Sequence, residues 1–431
     1  MKPFFGLAML ALLTLSLQGC LKDQCERTVT YTYVEPVYKT IEEIRAGQVT
    51  VEAPRELVNP GKIYYYDNKI FINESREGVH VIDNSNPSNP VNVQFISIPG
   101  NEDIAIKNGL LYANSYIDLW TVDLENYQLV GRTENVFPPL WDDLLNNSVV
   151  VYYQETKKTE VMDCEQYGSL FHTQDGSLVK FSSDFSREDA FNAINSSTSN
   201  PSSSSSSGTG VGGSMARFTI VSDYLYVVDQ FSMRVFDLGQ PTAPVQANVV
   251  NIGWGIETIF PYEDKLFIGS NSGMFIYDNS NPLQPFQLAA FAHARACDPV
   301  FVKDNHAWVT LRSGNICEGF INQLDLIDIT NITNPVLLRT FPMDNPHGLS
   351  IKGDNLFLCE GEFGLKSFDI SDPLEVSNHL LDHEKDIHSF DVISLPGDKN
   401  LLVVIGQDGF YQYDFDNPAD LKLVSKIQVG K

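Results

Sequence analysis

The sequence predicts an all-β fold, a β-propeller most simply read as eight four-stranded blades, with seven as the alternative. Three observations predict it. A motif of about forty residues recurs eight times along the chain. Each copy holds short apolar strands separated by turns rich in Asp, Asn and Gly, which is the content of one propeller blade. No 3.6-residue apolar period accompanies the repeat, so a helical solenoid is excluded.

The clearest element of the motif is an apolar run closed by an aspartate. It recurs at Asp83, Asp123, Asp163, Asp237, Asp278, Asp328, Asp369 and Asp414, at intervals of 40, 40, 74, 41, 50, 41 and 45. Six copies continue into a Pro-containing turn such as Asn84-Ser85-Asn86-Pro87. The aspartate is expected to end the third strand of each blade. Its short carboxylate would accept from the backbone N–H two residues on, in an Asx-turn that the following Pro stiffens. A repeated calcium site is the alternative, but each turn supplies one carboxylate and calcium takes six to eight oxygens. An earlier turn recurs as Asp67-Asn68, Asn108-Gly109, Glu263-Asp264, Asp304-Asn305 and Gly353-Asp354. Each precedes a strand of the Leu-Phe-Ile type.

These residues resemble the LVIVD repeat family, over roughly residues 59–431. The resemblance implies a propeller of a kind often carried on bacterial lipoproteins and mostly without an assigned activity. The third copy departs from the pattern, because Cys164-Glu165 replaces the Pro turn. If that copy is an elaborated insertion, the blade count is seven.

The first residues read as a processing signal. Lys2 supplies a positive start, and Phe4 to Leu15 form an apolar run too short to span a bilayer as a helix. Leu17-Gln18-Gly19-Cys20 resembles the lipobox of bacterial lipoproteins, in which the cysteine becomes the first mature residue and carries acyl chains. Cys20 is thus the expected lipidation site and the bilayer the expected partner through it. Leu21-Lys22-Asp23-Gln24 resembles the surface-export signal of Bacteroidetes lipoproteins, with Gln24 in place of a second acid. The expected location is the outer membrane, surface-exposed, with a periplasm-facing anchor as the alternative. The organisation is then a signal peptide 1–19, a tether and extension 20–58, and a propeller 59–431. Strand at Thr28 to Val34 and a helical turn at Ile41 to Ala46 are expected in the extension.

A Ser-rich insertion of low complexity occupies about 164–215. Ser196 to Ser214 includes six consecutive serines and a Gly-rich end, and reads as a flexible surface loop. A short helix is expected just before it, from Asp184 to Phe191.

Composition narrows the function. The formal charge is −26, which repels phosphate backbones, so nucleic acid is not an expected partner. Aromatics are plentiful, with 26 Phe and 18 Tyr, as short strands require. There is no GxSxG, P-loop or strand-following GxGxxG. The stretch His383 to His388 contains His-Glu but spaces its two histidines five apart, so they do not share a helix face as a zinc protease needs.

Aligning the repeats places one residue per blade at the start of the channel-lining strand. These are Gly61, Glu102, Leu140, Ala216, Glu257, Asp298, His347 and His388, with Asp103 and Arg217 adjacent. Glu102, Glu257, Asp298, His347, His388 and Arg217 are the candidate ligand-binding residues at the channel mouth. Of these, His347 and His388 with Asp298 before them are the cluster best suited to a divalent metal, and no other cofactor is expected. Phe231, Phe320 and Phe363 on the same face could stack on a sugar or cover neighbouring loops. Cys297 and Cys317 map to one face and could form a disulfide, and Cys359 reads as a small core residue. The expected function is non-enzymatic recognition of a carbohydrate, peptide or envelope protein on this face. The alternatives are a metal-assisted glycan hydrolase or lyase at the channel mouth, and a structural subunit of an envelope complex.

Overall fold

A computed structural model describes residues 26–139, 141–143, 147–172, 178–182, 209–292, 299–312, 322–397 and 399–430. The chain forms eight sheets, seven of them built on four-stranded antiparallel meanders. It divides into two units, residues 1–37 with 153–190 and residues 38–152 with 191–431.

The larger unit is the propeller. Blade 1 comprises Pro60–Tyr66, Lys69–Glu74, Gly78–Asp83 and Val91–Ser97. Blade 2 spans 104–133, blade 3 218–251, blade 4 256–292, blade 5 300–342, blade 6 349–384 and blade 7 389–428. Every neighbouring pair shares one buried core. Ile106 and Trp120 of blade 2 lie in one apolar cluster with Phe71 of blade 1 and Phe218 and Phe236 of blade 3. Blades 3 and 4 join through Val235 and Ile268, 4 and 5 through Phe267 and Val309, and 5 and 6 through Trp308 and Leu358. Blades 6 and 7 join through Phe357 and Val404, and Ile70 packs with Val403 to join 7 back to 1. The ring therefore closes through seven blades. Eight repeat copies give eight sheets, but the third copy contributes no strand to the closed ring.

Local chemistry explains why each blade takes this shape. In all seven blades the aspartate ends the third strand and its Oδ1 accepts the N–H two residues on. The distances are 2.9 Å at Asp83, 2.8 Å at Asp123 and 2.7 Å at Asp237 and Asp328. They are 2.9 Å at Asp278, 2.8 Å at Asp369 and 2.9 Å at Asp414. These bonds hold the Asp83 and Asp369 carboxyls below the usual carboxylate range, and at Asp278 and Asp328 the hydroxyls of Ser280 and Thr330 lower them first, with the backbone bond adding to it. The next residue donates its N–H back to the first hairpin, as Asn84 does to the Asn68 carbonyl at 2.8 Å and Phe415 to that of Asn400 at 2.9 Å. Asp67 and Asn68 both have positive φ, 48° and 56°, as a tight hairpin requires. A bulge follows between third and fourth strands in every blade, as at Val81/Ile82 and Gln412/Tyr413, and increases the local twist.

Neighbouring blades are also latched by the last residue of the inner strand. The Tyr66 hydroxyl accepts from Gly109 N at 2.9 Å, and that of Tyr262 accepts from Asp304 N at 3.0 Å. Lys107 and Lys303 occupy the equivalent position and reach Asp223 at 2.7 Å and Asp354 at 3.2 Å.

The N-terminal extension follows expectation locally. Ile41–Ala46 is a helix whose Thr40 cap and Glu43 form a reciprocal capping box. Thr50–Glu52 pairs with Val91–Ser97 and covers the outer edge of blade 1.

In the smaller unit, the strand Glu26–Thr40 lies between Ser148–Asp163 and Leu178–Phe181, and pairs parallel with the latter. Val29, Tyr31, Met162 and Leu170 form its core. The Tyr31 hydroxyl donates to Glu160, and burial with this carboxylate pushes the phenol up to about 12. Asp163, from the third repeat copy, keeps the local bond of the motif at 3.0 Å to Glu165 N. With no Pro turn to follow, it instead caps the helix Cys164–Gly168. Cys164 is disulfide-bonded.

Candidate binding site at the channel mouth

The centre of the ring is filled by residues 209–216. This corrects the expectation that the Gly-rich end of the Ser-rich insertion is surface loop. Gly212 to Ala216 are buried. Gly210 N donates to the Ile106 carbonyl of blade 2 at 3.0 Å, and Val211–Gly212 pairs with Tyr64 and Tyr65 of blade 1. Gly213 N reaches Ile63 O at 3.3 Å. The Ser214 hydroxyl accepts from Leu349 N of blade 6 at 2.6 Å and donates to Asp391 Oδ1 of blade 7 at 3.2 Å. Ala216 O accepts from Ile259 N of blade 4 at 3.0 Å. Composition alone reads these glycines as disorder, but here they permit close approach. A Cβ on Gly213 would stand 1.7 Å from Asp391 Oδ2.

Two buried carboxylates bound this segment. Asp103 makes an ion pair with Lys62 at 3.1 Å and accepts from Arg217 N at 2.7 Å and Phe218 N at 3.1 Å. It thereby ties blades 1, 2 and 3 together. Asp391 accepts from Ser214 and Val392 through Oδ1, while its Oδ2 has no hydrogen-bond partner among the described residues. Burial raises its carboxyl well above the usual range, against those hydrogen bonds and the Lys62 charge.

Above this plug, the loops between second and third strands and the starts of the inner strands form the mouth. The structure brings three of the candidates together around Arg312, a residue that repeat alignment missed. Arg312 Nη1 lies 2.8 Å from His347 Nδ1. Glu257 acts on Arg312 electrostatically and opposes the lowering of its pKa by burial. His347 and His388 flank the Phe390 ring, at centroid distances of 5.5 and 5.0 Å. Burial, then Arg312 and His388, hold His347 well below the usual imidazole range.

Glu102 belongs to a second group, 3.7 Å from Arg217 Nη1 and 4.0 Å from Arg76 Nε. Arg76 stacks over Tyr152 at 4.7 Å. Gly61 and Ala216 bring no ionisable group. Asp298, Leu140, Phe320, Cys297, Cys317, Cys20 and residues 184–191 lie outside the described residues. Phe231 and Phe363 are exposed, and Phe231 packs on Trp254 at 5.1 Å. Cys359 is a buried free thiol in the core of blades 6 and 7. His383 and Glu384 are the last two residues of the strand Leu380–Glu384, so no helix carries the His-Glu stretch.

Among the described residues no group of three His, Cys, Asp or Glu side chains is placed to hold a metal ion. The metal reading of His347 meets a further obstacle. Its Nδ1 accepts from a guanidinium, and a fixed cation opposes a second one.

Neither a family model nor a curated protein matches the sequence. Solved structures with related shape include the computationally designed Ika8 protein, at 9% identity and TM-score 0.47, covering 88% of this chain and 90% of the other. Kluyveromyces lactis Hsv2 aligns at 11% identity and TM-score 0.46, over 85% and 98%. The β-propeller domain of Myceliophthora thermophila Cps50 (Swd1) aligns at 11% and 0.45, over 77% and 88%. The propeller assignment stands on the sheets and shared cores themselves.

Proposed function

We propose that this chain is a non-enzymatic binding propeller of the LVIVD-repeat kind, anchored at a bacterial outer membrane through acylated Cys20. It engages a carbohydrate, peptide or envelope-protein partner with the face bearing the channel mouth. The observation that carries this reading is the plugged channel beneath an ionisable mouth. A ligand can meet Arg312, His347, His388 and Glu257 only from the open face, and those side chains are already held by one another.

The anchor reading rests on the sequence from Leu17 to Cys20 after an apolar run. A Cys20→Ser chain should leave the membrane fraction for the soluble one; retention in membranes overturns the anchor. For the face, charge-removing substitutions at Arg312 and His388 should weaken capture of the native partner from the envelope. The outer edge of blade 4, altered at Phe286, serves as the control. If the control substitution weakens capture and the mouth substitutions do not, the partner sits on the blade edges and the mouth reading fails.

A further inference from the structure

The ligand class can be narrowed, resting on the mouth-face reading above. In a chain of net charge −26, three guanidiniums gather on this one face. Arg76 lies in the second-to-third-strand loop of blade 1, Arg217 at the start of the inner strand of blade 3, and Arg312 just after the second strand of blade 5. In all three the Nε is buried and has no hydrogen-bond partner among the described residues. Their compensation is thin. Among the described residues, Glu102 is the carboxylate paired with Arg76 and Arg217, at 4.0 and 3.7 Å, beyond good hydrogen-bond length. Arg312 places Nη1 against the His347 imidazole, and Glu257 is the carboxylate whose charge acts on it. The planar guanidinium fork is matched best by a carboxylate, which can take two parallel N–H bonds.

The second observation is independent of charge. Phe231 and Trp254 are 48% and 42% exposed, and their rings lie 5.1 Å apart. Both belong to the mouth face: Phe231 is in the second-to-third-strand loop of blade 3, and Trp254 precedes Glu257 by three residues. The pair is held rigidly, since the Phe231 carbonyl accepts from Ile252 N at 2.9 Å and Gly253 N at 3.1 Å. Arg217 pairs with the end of the strand that leads into this loop, its carbonyl accepting from Val228 N at 2.9 Å. Two large aromatics fixed in water are an apolar platform awaiting a partner. A platform of C–H-accepting rings on the same face as the guanidiniums fits a saccharide that carries a carboxylate.

We propose that the mouth face binds an acidic sugar residue, a uronate or a sialate. Its carboxylate is taken by the arginines, with Arg217 and Arg312 foremost, and the apolar face of its ring stacks on Trp254 and Phe231. The overall charge limits the form of the ligand. At physiological ionic strength the Debye length is about 8 Å, so an isolated carboxylate at the mouth responds chiefly to the nearby arginines. A dense polyanion extends over the surrounding acidic surface and is repelled. The ligand is therefore an oligosaccharide with a sparse or terminal acidic sugar.

The test uses the full chain in detergent micelles and calorimetric titration. The probes are oligosaccharides ending in glucuronate, galacturonate or sialate, the methyl ester of each, and the neutral counterparts. At least one acid-terminated probe should bind about tenfold more tightly than its ester. Arg312→Gln and Arg217→Gln should each remove that preference, with Arg312→Lys and Arg217→Lys keeping part of it. Trp254→Ala should weaken the acid and the ester alike. Thermal unfolding of each variant checks that it folds. Equal binding of acid and ester overturns carboxylate recognition while the mouth remains a binding face. The same holds if acidic peptides or an envelope protein bind through the mouth and sugars do not. If no ligand's binding changes with any mouth variant, the inference and the reading beneath it both fall.

Discussion

Arg312 donates from Nη1 to Nδ1 of His347 across 2.8 Å, and this contact adds to burial in disfavouring a charge on the imidazole. A guanidinium has only donors, so the ring nitrogen facing it must accept. His347 is 5% exposed, so burial adds to the cost of charging it. The mouth is therefore built around a neutral histidine and a fixed cation.

This predicts a pH dependence of stability. Unfolded His347 takes up a proton near pH 6.5, whereas in the folded chain its pKa lies well below that. The unfolded state binds more protons in that window. The contribution is complete above about pH 6.5 and is lost as pH falls through the folded value. Denaturant unfolding at pH 7.5 and pH 5 should show this loss in the native chain and a smaller one in His347→Gln. Equal losses in both chains would refute it.

Asp391 gives the opposite sign. Its folded pKa lies well above the usual 3.8, so the native state binds the extra proton. Its contribution is present below about pH 4 and is lost as pH rises through the folded value. Asp391→Asn keeps an oxygen to accept from Ser214 and removes the buried charge. The variant should gain roughly 1–3 kcal/mol over the native chain at pH 7, and the gain should shrink towards pH 4. Chemical denaturation across that range measures it.

The plug tests the role of the Gly-rich segment. Gly213→Ala forces a Cβ into the Asp391 carboxylate and should cost about 1–3 kcal/mol. Ser214→Ala leaves Leu349 N without its acceptor and should cost a similar amount. If 209–216 were a surface loop, both variants would unfold with the native chain. Proteolysis within 196–208 should leave the propeller intact, because 209–216 is held by hydrogen bonds to five blades.

The repeated aspartates predict small, local and separable effects. Asp278→Ala or Asp328→Ala removes the Asx bond together with the hydroxyl contact of Ser280 or Thr330, and should cost about 0.5–1.5 kcal/mol. The double variant should be additive, since the two sit in different blades with no shared partner. A strong coupling in the double-mutant cycle would show that the turns act together.

Much of this was legible in the chain because the repeat is local. The Asp at the end of each third strand, the type of turn before each second strand and the Thr40-capped helix all depend on residues within a few positions of one another. Periodicity and turn chemistry report such features directly. The mouth positions Glu257, His347 and His388 were legible for the same reason, through the shared register of the blades.

What the chain alone could not show depends on contacts between residues far apart in sequence. Arg312 reaches His347 across 35 positions, and Ser214 reaches Asp391 across 177. Composition reads the glycines at 210, 212 and 213 as unable to fold, because it counts what a segment can bury by itself. The ring supplies the burial and the partners from other blades. Closure decided the blade number in the same way: eight aspartates recur in the sequence, but the shared cores join seven blades. The sequence determined the unit and its hydrogen-bonded turn. The tertiary structure decided how many units close, what fills their centre and which charges meet at the mouth, because each of those is set by the geometry of the assembled ring.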